Sequence, residues 1–426
     1  MPGITFDEVA ALLHREMPGR ISAEAWRQSQ EIFPSGPLSF LHPDYVREMG
    51  CRLKSATEIT DALVAALELF ERHPLLQRWA WHCHYWLGCG GEETFQEVSS
   101  WLMVPETLGP GADLFYAIIF LSGIPNLLRM HQERKISEAV TWDTLSDLEI
   151  WIRDYRQKKG VWGFDRQGWL AHHFSGRLYR LGRLQYGQDS YPFDFHGFRH
   201  EQTRQVVMLA GDGMVFRNDG QFDGANGIHA LEGQCWTAAF RCDEKRIFGH
   251  PIAATGIPIR RPIELDAARW RPVLGKGDPM LVIHIPAAGP MSHELCGQSF
   301  AQAIDFFPRH FPEYSFRGFC TSSWLLDRQF EWLLPASSNI RLFLREYYLH
   351  PVPEASDQQT YERVFGNPAQ DIRTAPQTSS LQKMMGQHAK SGGRFYCGGG
   401  VLFPEDFRWG QEVYQRKNGA VVELLL

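Results

Sequence analysis

No lysine- or arginine-rich run occurs in this chain of 426 residues, and its formal net charge is only -6. Phosphate backbones are held by clustered cations, so nucleic acid is not expected as a principal partner. Long hydrophobic runs are also scarce. The longest, Leu114 to Leu128, is interrupted by Gly123, Pro125 and Asn126 and falls short of the ~20 apolar residues that a spanning helix needs, so no membrane is expected. Cysteine is dilute: eight residues, at 51, 83, 89, 235, 242, 296, 320 and 397, lack the dense spacing of a secreted disulfide scaffold. The N-terminal MPGITFDEVAALLHREMPGR carries acids and no apolar core of a signal peptide. These absences predict a cytoplasmic protein.

Several catalytic signatures are missing as well. There is no G-x-S-x-G elbow, and Gly297-Gln298-Ser299 lies inside a predicted helix, where Ser299 reads as a small packing residue. Neither a Walker loop nor a dinucleotide G-x-G-x-x-G opens a helix; Gly392-Gly393 and Gly398 to Gly400 read as flanking a strand. His82-Cys83-His84 with Cys89 lacks the paired C-x-x-C or H-x-x-x-H spacing of a zinc site. His196 and His200 stand four apart, but Pro192, Gly197 and the surrounding aromatics place them in a loop. No metal is expected.

What is present is ordinary globular material, 44% hydrophobic and 22% charged, in a chain long enough for two domains. From Phe6 to about Tyr155 the apolar residues keep helical spacing, as in Phe6, Val9, Ala10 and Leu13 or Ile59, Leu63, Ala66, Leu67 and Phe70. Gly and Pro clusters cut this region into short helices, and Gly160 stops the last of them. Beyond Phe164 strands separated by turns take over: Arg177 to Tyr186, Gln205 to Ala210, Met214 to Arg217 and Cys235 to Cys242. The reading is α+β, an all-helical N-terminal domain over residues 1–160 followed by a mixed-sheet α/β domain over residues 161–426.

One segment carries most of the functional signal. Met280 to Ile285 is a short apolar strand, Ala287 to Met291 a tight connection, and Ser292 an N-cap for a helix with Leu295, Phe300, Ala303, Phe306 and Phe307 on one face, closed by Pro308 and Pro312. A second strand follows from Ser315 to Ser322, then a helix from Asn339 to about Leu349, capped by Ser337 or Ser338. A strand, a crossover helix and a second strand predict a parallel pair with a crevice at its carboxyl end.

This succession resembles the core of the GNAT superfamily. The whole chain is similar to the bacterial acyltransferase domain-containing proteins, which join a helical N-terminal domain to a GNAT-like C-terminal domain. The lines that carry the likeness are HIPAAGPM, the helix from Ser299 to Phe307, and CTSSWLLD with SSNI downstream. The resemblance implies an acyl-CoA donor between two splayed strands, with its diphosphate near the helix start, contacting Ile285, Ala287, Ala288, Gly289, Met291, Ser292 and Asn339. The superfamily loop is written R/Q-x-x-G-x-G/A; here Gly289 takes the first glycine, Pro286 stands in the Arg/Gln position and Met291 in that of the second small residue. The loop therefore carries no cation of its own, and Glu294 adds a negative charge to the first helical turn.

Transfer of an acyl group from a thioester to an amine requires a base for the ammonium proton and an acid for the departing thiolate. His284, in the apolar strand just before the connection, has a near-neutral intrinsic pKa and reads as the base. The superfamily's tyrosine acid lies about seven residues beyond a helix-start asparagine; counted from Asn339 that position is Glu346, with Tyr347 one residue further. Tyr347 is the acid expected here. Ser322 and Ser323 at the strand end, and Glu232 beside the Asp223 to Gly227 turn, read as substrate-binding residues. The acceptor implied is the amine, or less often the hydroxyl, of a small molecule or peptide. The alternative is a GNAT-like binding or regulatory protein that has lost its cofactor.

Overall fold

The computed structural model describes residues 5–13, 22–231, 233–287, 289–353, 355–366 and 371–415. Two compact units emerge. The first comprises the chain as far as Gly187 together with Ile285–Gly289 and Arg309–Phe311; the second comprises Gln188–His284, Pro290–Pro308 and the remainder from Pro312.

The first unit is helical up to Phe174; the apolar spacing predicts this as far as about Tyr155, and the helix Gln167–Phe174 lies beyond the expected boundary at residue 160. Its helices begin where short polar side chains satisfy the first orphan N–H groups: Thr5 accepts from Glu8 N in a reciprocal capping box, and Ser22 from Ala25 N. The central helix α1 (Phe115–Glu133) buries nearly its whole first half, from Phe115 to Ile124, and takes Pro125 into its interior. Length and composition would let this helix cross a membrane, yet 72% of its most apolar stretch is buried inside the protein, which is the setting of a core helix. Around it pack Leu76, Trp79, Cys83, Leu87, Leu170 and Phe174, all essentially inaccessible. After the last helix comes a hairpin of β1 (Leu178–Leu181) and β2 (Leu184–Ser190), paired antiparallel from Leu178–Gly187 to Leu181–Leu184. The sequence reading runs one strand from Arg177 to Tyr186; Gly182, at φ 68°, breaks it with a two-residue turn.

The second unit is built on β3 (Pro279–His284), β4 (Gly318–Ser323), β5 (Tyr348–Pro351) and β6 (Gly398–Leu402), in the order β3-β4-β6-β5. β3 and β4 are parallel, as the crossover predicts, whereas β6 is antiparallel to both of its neighbours. The crossover helix α2 (His293–His310) lays Cys296, Phe300, Ala303, Phe306 and Phe307 on its buried face. Pro308 lies inside its last turn rather than closing it, at the loss of one ladder bond near an end. A four-stranded antiparallel sheet of Trp270–Leu274, Phe195–His200, Val206–Ala210 and Pro251–Ile252 accompanies these strands.

Three local readings are corrected by tertiary pairing. The segment expected as a loop around His196 and His200 is a strand, paired on both sides, and Gly197 fits because an added Cβ would lie 2.9 Å from Leu274 Cβ. Gly398 to Gly400 do not flank a strand; they form the first half of β6. Side chains are excluded there by neighbours: a Cβ on Gly398 would meet the Leu326 carbonyl oxygen at 2.1 Å, and one on Gly399 the His350 ring at 2.0 Å. The helix expected to reach Leu349 ends at Leu344, giving α3 (Asn339–Leu344). From Tyr348 the chain pairs with β6 instead, and the Tyr348 hydroxyl accepts from Met208 N (3.2 Å) and donates to the Ile252 carbonyl (2.5 Å).

Candidate functional site

The parallel strands β3 and β4 pair through Met280–Gly318, Leu281–Phe319 and Val282–Cys320, and the ladder stops there. Beyond it β4 continues to Ser323, held on its other side by β6 as far as Ser323–Gly398. Past the last ladder pair the Thr321 hydroxyl donates to the Ile283 carbonyl at 3.0 Å. The two strands are thus joined by backbone at their amino ends and by the Thr321 side chain past the last backbone pair. Burial pushes the Cys320 thiol, at the last paired position, up to about 12, so it is protonated and inert at neutral pH.

His284 is the last residue of β3, half-buried and on the opposite side of the strand from the buried Ile283. At the end of β4, Ser322 is exposed, while the Ser323 hydroxyl accepts from Leu325 N at 3.2 Å and caps the short turn of helix after it. A turn-forming role therefore accounts for Ser323.

At the amino end of α2 the Ser292 hydroxyl accepts from Leu295 N, the N-cap role read from the sequence. The next residue, His293, gathers several groups. Its Nε2 lies 3.0 Å from Glu346 Oε1, its ring stacks on Trp409 at 4.9 Å, its carbonyl accepts from Trp409 Nε1, and its N–H faces Asn339 Oδ1 at 3.5 Å. Glu346 also accepts from Gly410 N at 2.9 Å. Burial holds the Glu346 carboxyl above the ordinary range, against the His293 and Gly410 hydrogen bonds that favour its charged form. Ser292 and Asn339, both read as cofactor-binding, are thus brought to the two sides of His293. Tyr347 lies outside any helix, fully buried with Phe300 and Phe343 against its ring.

The connection Ile285–Gly289 belongs to the first unit. Ile285 is half-buried, Pro286 buried, and Ala287 and Gly289 exposed; Gly289 adopts φ 69°. Met291 is half-buried, and Ala288 and Glu232 lie outside the described residues. Arg183, from the β1–β2 turn, donates to the carbonyls of Pro286 at 3.1 Å and Gly289 at 3.3 Å. The loop that carries no cation in its own sequence thus receives one from a residue about a hundred positions earlier.

Sequence reasoning missed Arg183, Thr321 and His293, and passed over Glu346, which stands at the counted spacing from Asn339, in favour of Tyr347. Thr321 left a signal as the hydroxyl preceding the two serines of the strand end; Arg183 and His293 depend on partners that are remote in sequence. Asp223, in the turn beside which Glu232 reads as substrate-binding, is committed to its own loop, where it accepts from Ala230 N and pairs with His229. His82 and His84, considered for zinc, diverge to Ser29 with Glu97 and to Ser122. Among the described residues no three His, Cys, Asp or Glu side chains converge as a metal site.

A family model described as a GNAT-like C-terminal domain matches residues 178–402, more than half of the chain. The chain belongs to this GNAT-like family. Residues 46–176 match a second family model, described as an N-acyltransferase N-terminal domain, which covers most of the helical region. Solved structures agree over 94% of the chain. An acyltransferase in complex with decanoyl-CoA is 25% identical, with a TM-score of 0.64 and 100% of its own length covered. An acyltransferase in complex with decanoyl-CoA and teicoplanin is 24% identical, at the same TM-score and with 99% of its length covered; a variant crystallised with octanoyl-CoA has the same values. None of the curated proteins matches the chain.

Proposed function

We propose that this protein is an acyl-CoA-dependent acyltransferase that moves a fatty acyl group to an amine of a small molecule or peptide. The observation that carries the reading is the end of the β3–β4 backbone ladder at Val282–Cys320 while both strands run on, the place where the GNAT resemblance puts the opening for a thioester donor. The donor would lie along Met280–His284 with its diphosphate at the connection that follows. Medium-length acyl chains are favoured because related acyltransferases were crystallised with decanoyl-CoA and octanoyl-CoA, and the acceptor class by the complex with teicoplanin.

In the proposed step the acceptor amine attacks the thioester carbonyl, the new C–N bond forms, the C–S bond breaks, and the ammonium proton passes to His284. Tyr347 is the proton donor to be tested for the thiolate. A cytoplasmic location belongs to the same proposal, supported by eight cysteines that are all free thiols.

The test is release of free thiol from decanoyl-CoA with a panel of amine acceptors, for the wild type, His284→Gln and Tyr347→Phe. Turnover that falls strongly in His284→Gln without loss of fold supports the base assignment; an unchanged rate removes that residue, and the same criterion applies to Tyr347. The rival reading, a non-catalytic GNAT-like binding or regulatory protein that has lost the cofactor, is favoured by Pro286 and Met291 in the loop. Thermal stability separates the two. Free acyl-CoA near 100 times Kd would stabilise the native state by ~2.7 kcal/mol, and no shift with any acyl-CoA rejects the donor site.

A further inference from the structure

The GNAT loop motif places its Arg or Gln where this chain has Pro286, and a proline offers neither charge nor N–H. Arg183 meets the same loop from the β1–β2 turn. Only 8% exposed, it directs one terminal nitrogen of its guanidinium to the Pro286 carbonyl and the other to the Gly289 carbonyl. Those two carbonyls bracket the first half of the motif, so one planar fork spans the loop; a lysine ammonium, a point donor on a flexible stem, cannot hold both in this way. The backbone consequence follows from peptide geometry. In a trans peptide the N–H lies opposite the C=O, so a Pro286 carbonyl turned towards Arg183 turns the Ala287 N–H the other way. Gly289, in the left-handed region at φ 69°, then reverses the chain before Pro290. The Gly289–Pro290 peptide has no N–H, so the Ala287 amide is the donor that this geometry turns outward, with the Arg183 cation behind it.

We propose that Arg183 is the positioning residue for the donor's diphosphate, supplying from a distant hairpin the charge and loop restraint that the family's loop residue provides in sequence. The inference rests on the acyl-CoA reading above and specifies which part of the donor this residue serves. It acts on the 3′-phospho-ADP portion of the donor through the loop and takes no part in the chemistry at the thioester.

Decanoyl-CoA and decanoyl-pantetheine, which lacks the diphosphate and adenosine, separate this role from a purely structural one. The experiment compares KM and kcat for both donors in the wild type, Arg183→Lys and Arg183→Met. The expected result is a KM for decanoyl-CoA raised about tenfold or more in Arg183→Met and less in Arg183→Lys, with both parameters for decanoyl-pantetheine within about twofold of wild type. Equal losses with the two donors, or no change with either, overturn the proposal. If Arg183→Met does not fold, Arg183→Lys decides by the same ratio, because it keeps the bulk and charge and loses the fork. A wild type that uses decanoyl-CoA beside an unaffected variant rejects this inference alone, whereas a wild type inert to both donors rejects the acyl-CoA reading and this inference with it.

Discussion

The hydroxyl of Thr321 reaches across to the carbonyl of Ile283, 3.0 Å away, immediately beyond the last backbone pair of two parallel strands. That bond gives the Ile283 carbonyl a partner where the backbone ladder between β3 and β4 has ended, as a polar group inside a sheet requires.

Replacing Thr321 by Val keeps the shape and removes the donor. The expected outcome is a loss of about 1–2 kcal/mol in urea unfolding, with Thr321→Ser retaining most of it. Equal stability of Thr321→Val and wild type would show that the Ile283 carbonyl finds another partner.

The glycines of β6 make a sharper test of close packing. In Gly398→Ala the new methyl would sit 2.1 Å from a backbone oxygen, that of Leu326, which cannot swing away as a side-chain tip can. A loss of about 2 kcal/mol or more is expected from such overpacking, larger than for Ala at Gly213, where an added Cβ meets nothing within 4 Å but φ is +80°. The comparison is made by chemical denaturation.

Arg199, 1% exposed, forms a two-pronged pair with Asp406 at 2.6 and 2.7 Å, and Tyr414 donates to the same carboxylate. Arg199→Met leaves Asp406 with its main counter-charge gone. It should cost about 3–5 kcal/mol, more than the double variant with Asp406→Leu, because the cost lies largely in stranding one charge. A double-mutant cycle on unfolding free energies reads this coupling.

Stability should also depend on pH through buried histidines. Burial holds His84, His131 and His350 each down to about 4, whereas an unfolded histidine titrates near ~6.5. The native state therefore prefers the neutral ring. Its advantage is complete above pH ~6.5, shrinks as the unfolded chain takes up protons below that, and is exhausted by about pH 4, a loss on the order of a few kcal/mol for each ring. Urea midpoints at pH 7.5, 6 and 5 should fall in that order; a flat profile would mean that these rings are accessible to protons in the folded state.

The sequence by itself determined the order of the layers. Apolar residues at helical spacing before Tyr155, alternation and turn residues after Phe164, and the strand-helix-strand run from Met280 to Ser322 all survive in the structure, because periodicity and capping are local properties. It also determined the N-cap at Ser292 and the position of His284 at a strand end. Only tertiary structure decided that Gly398 to Gly400 form a strand, that His196 lies in one, and that the helix after Asn339 stops at Leu344. In each case pairing with a distant segment outweighed a local preference worth a fraction of a kcal/mol per residue. The same holds for the cation at the loop: Arg183 and Pro286 are 103 residues apart, and no pattern in a single chain marks two residues as neighbours when folding alone brings them within hydrogen-bonding distance.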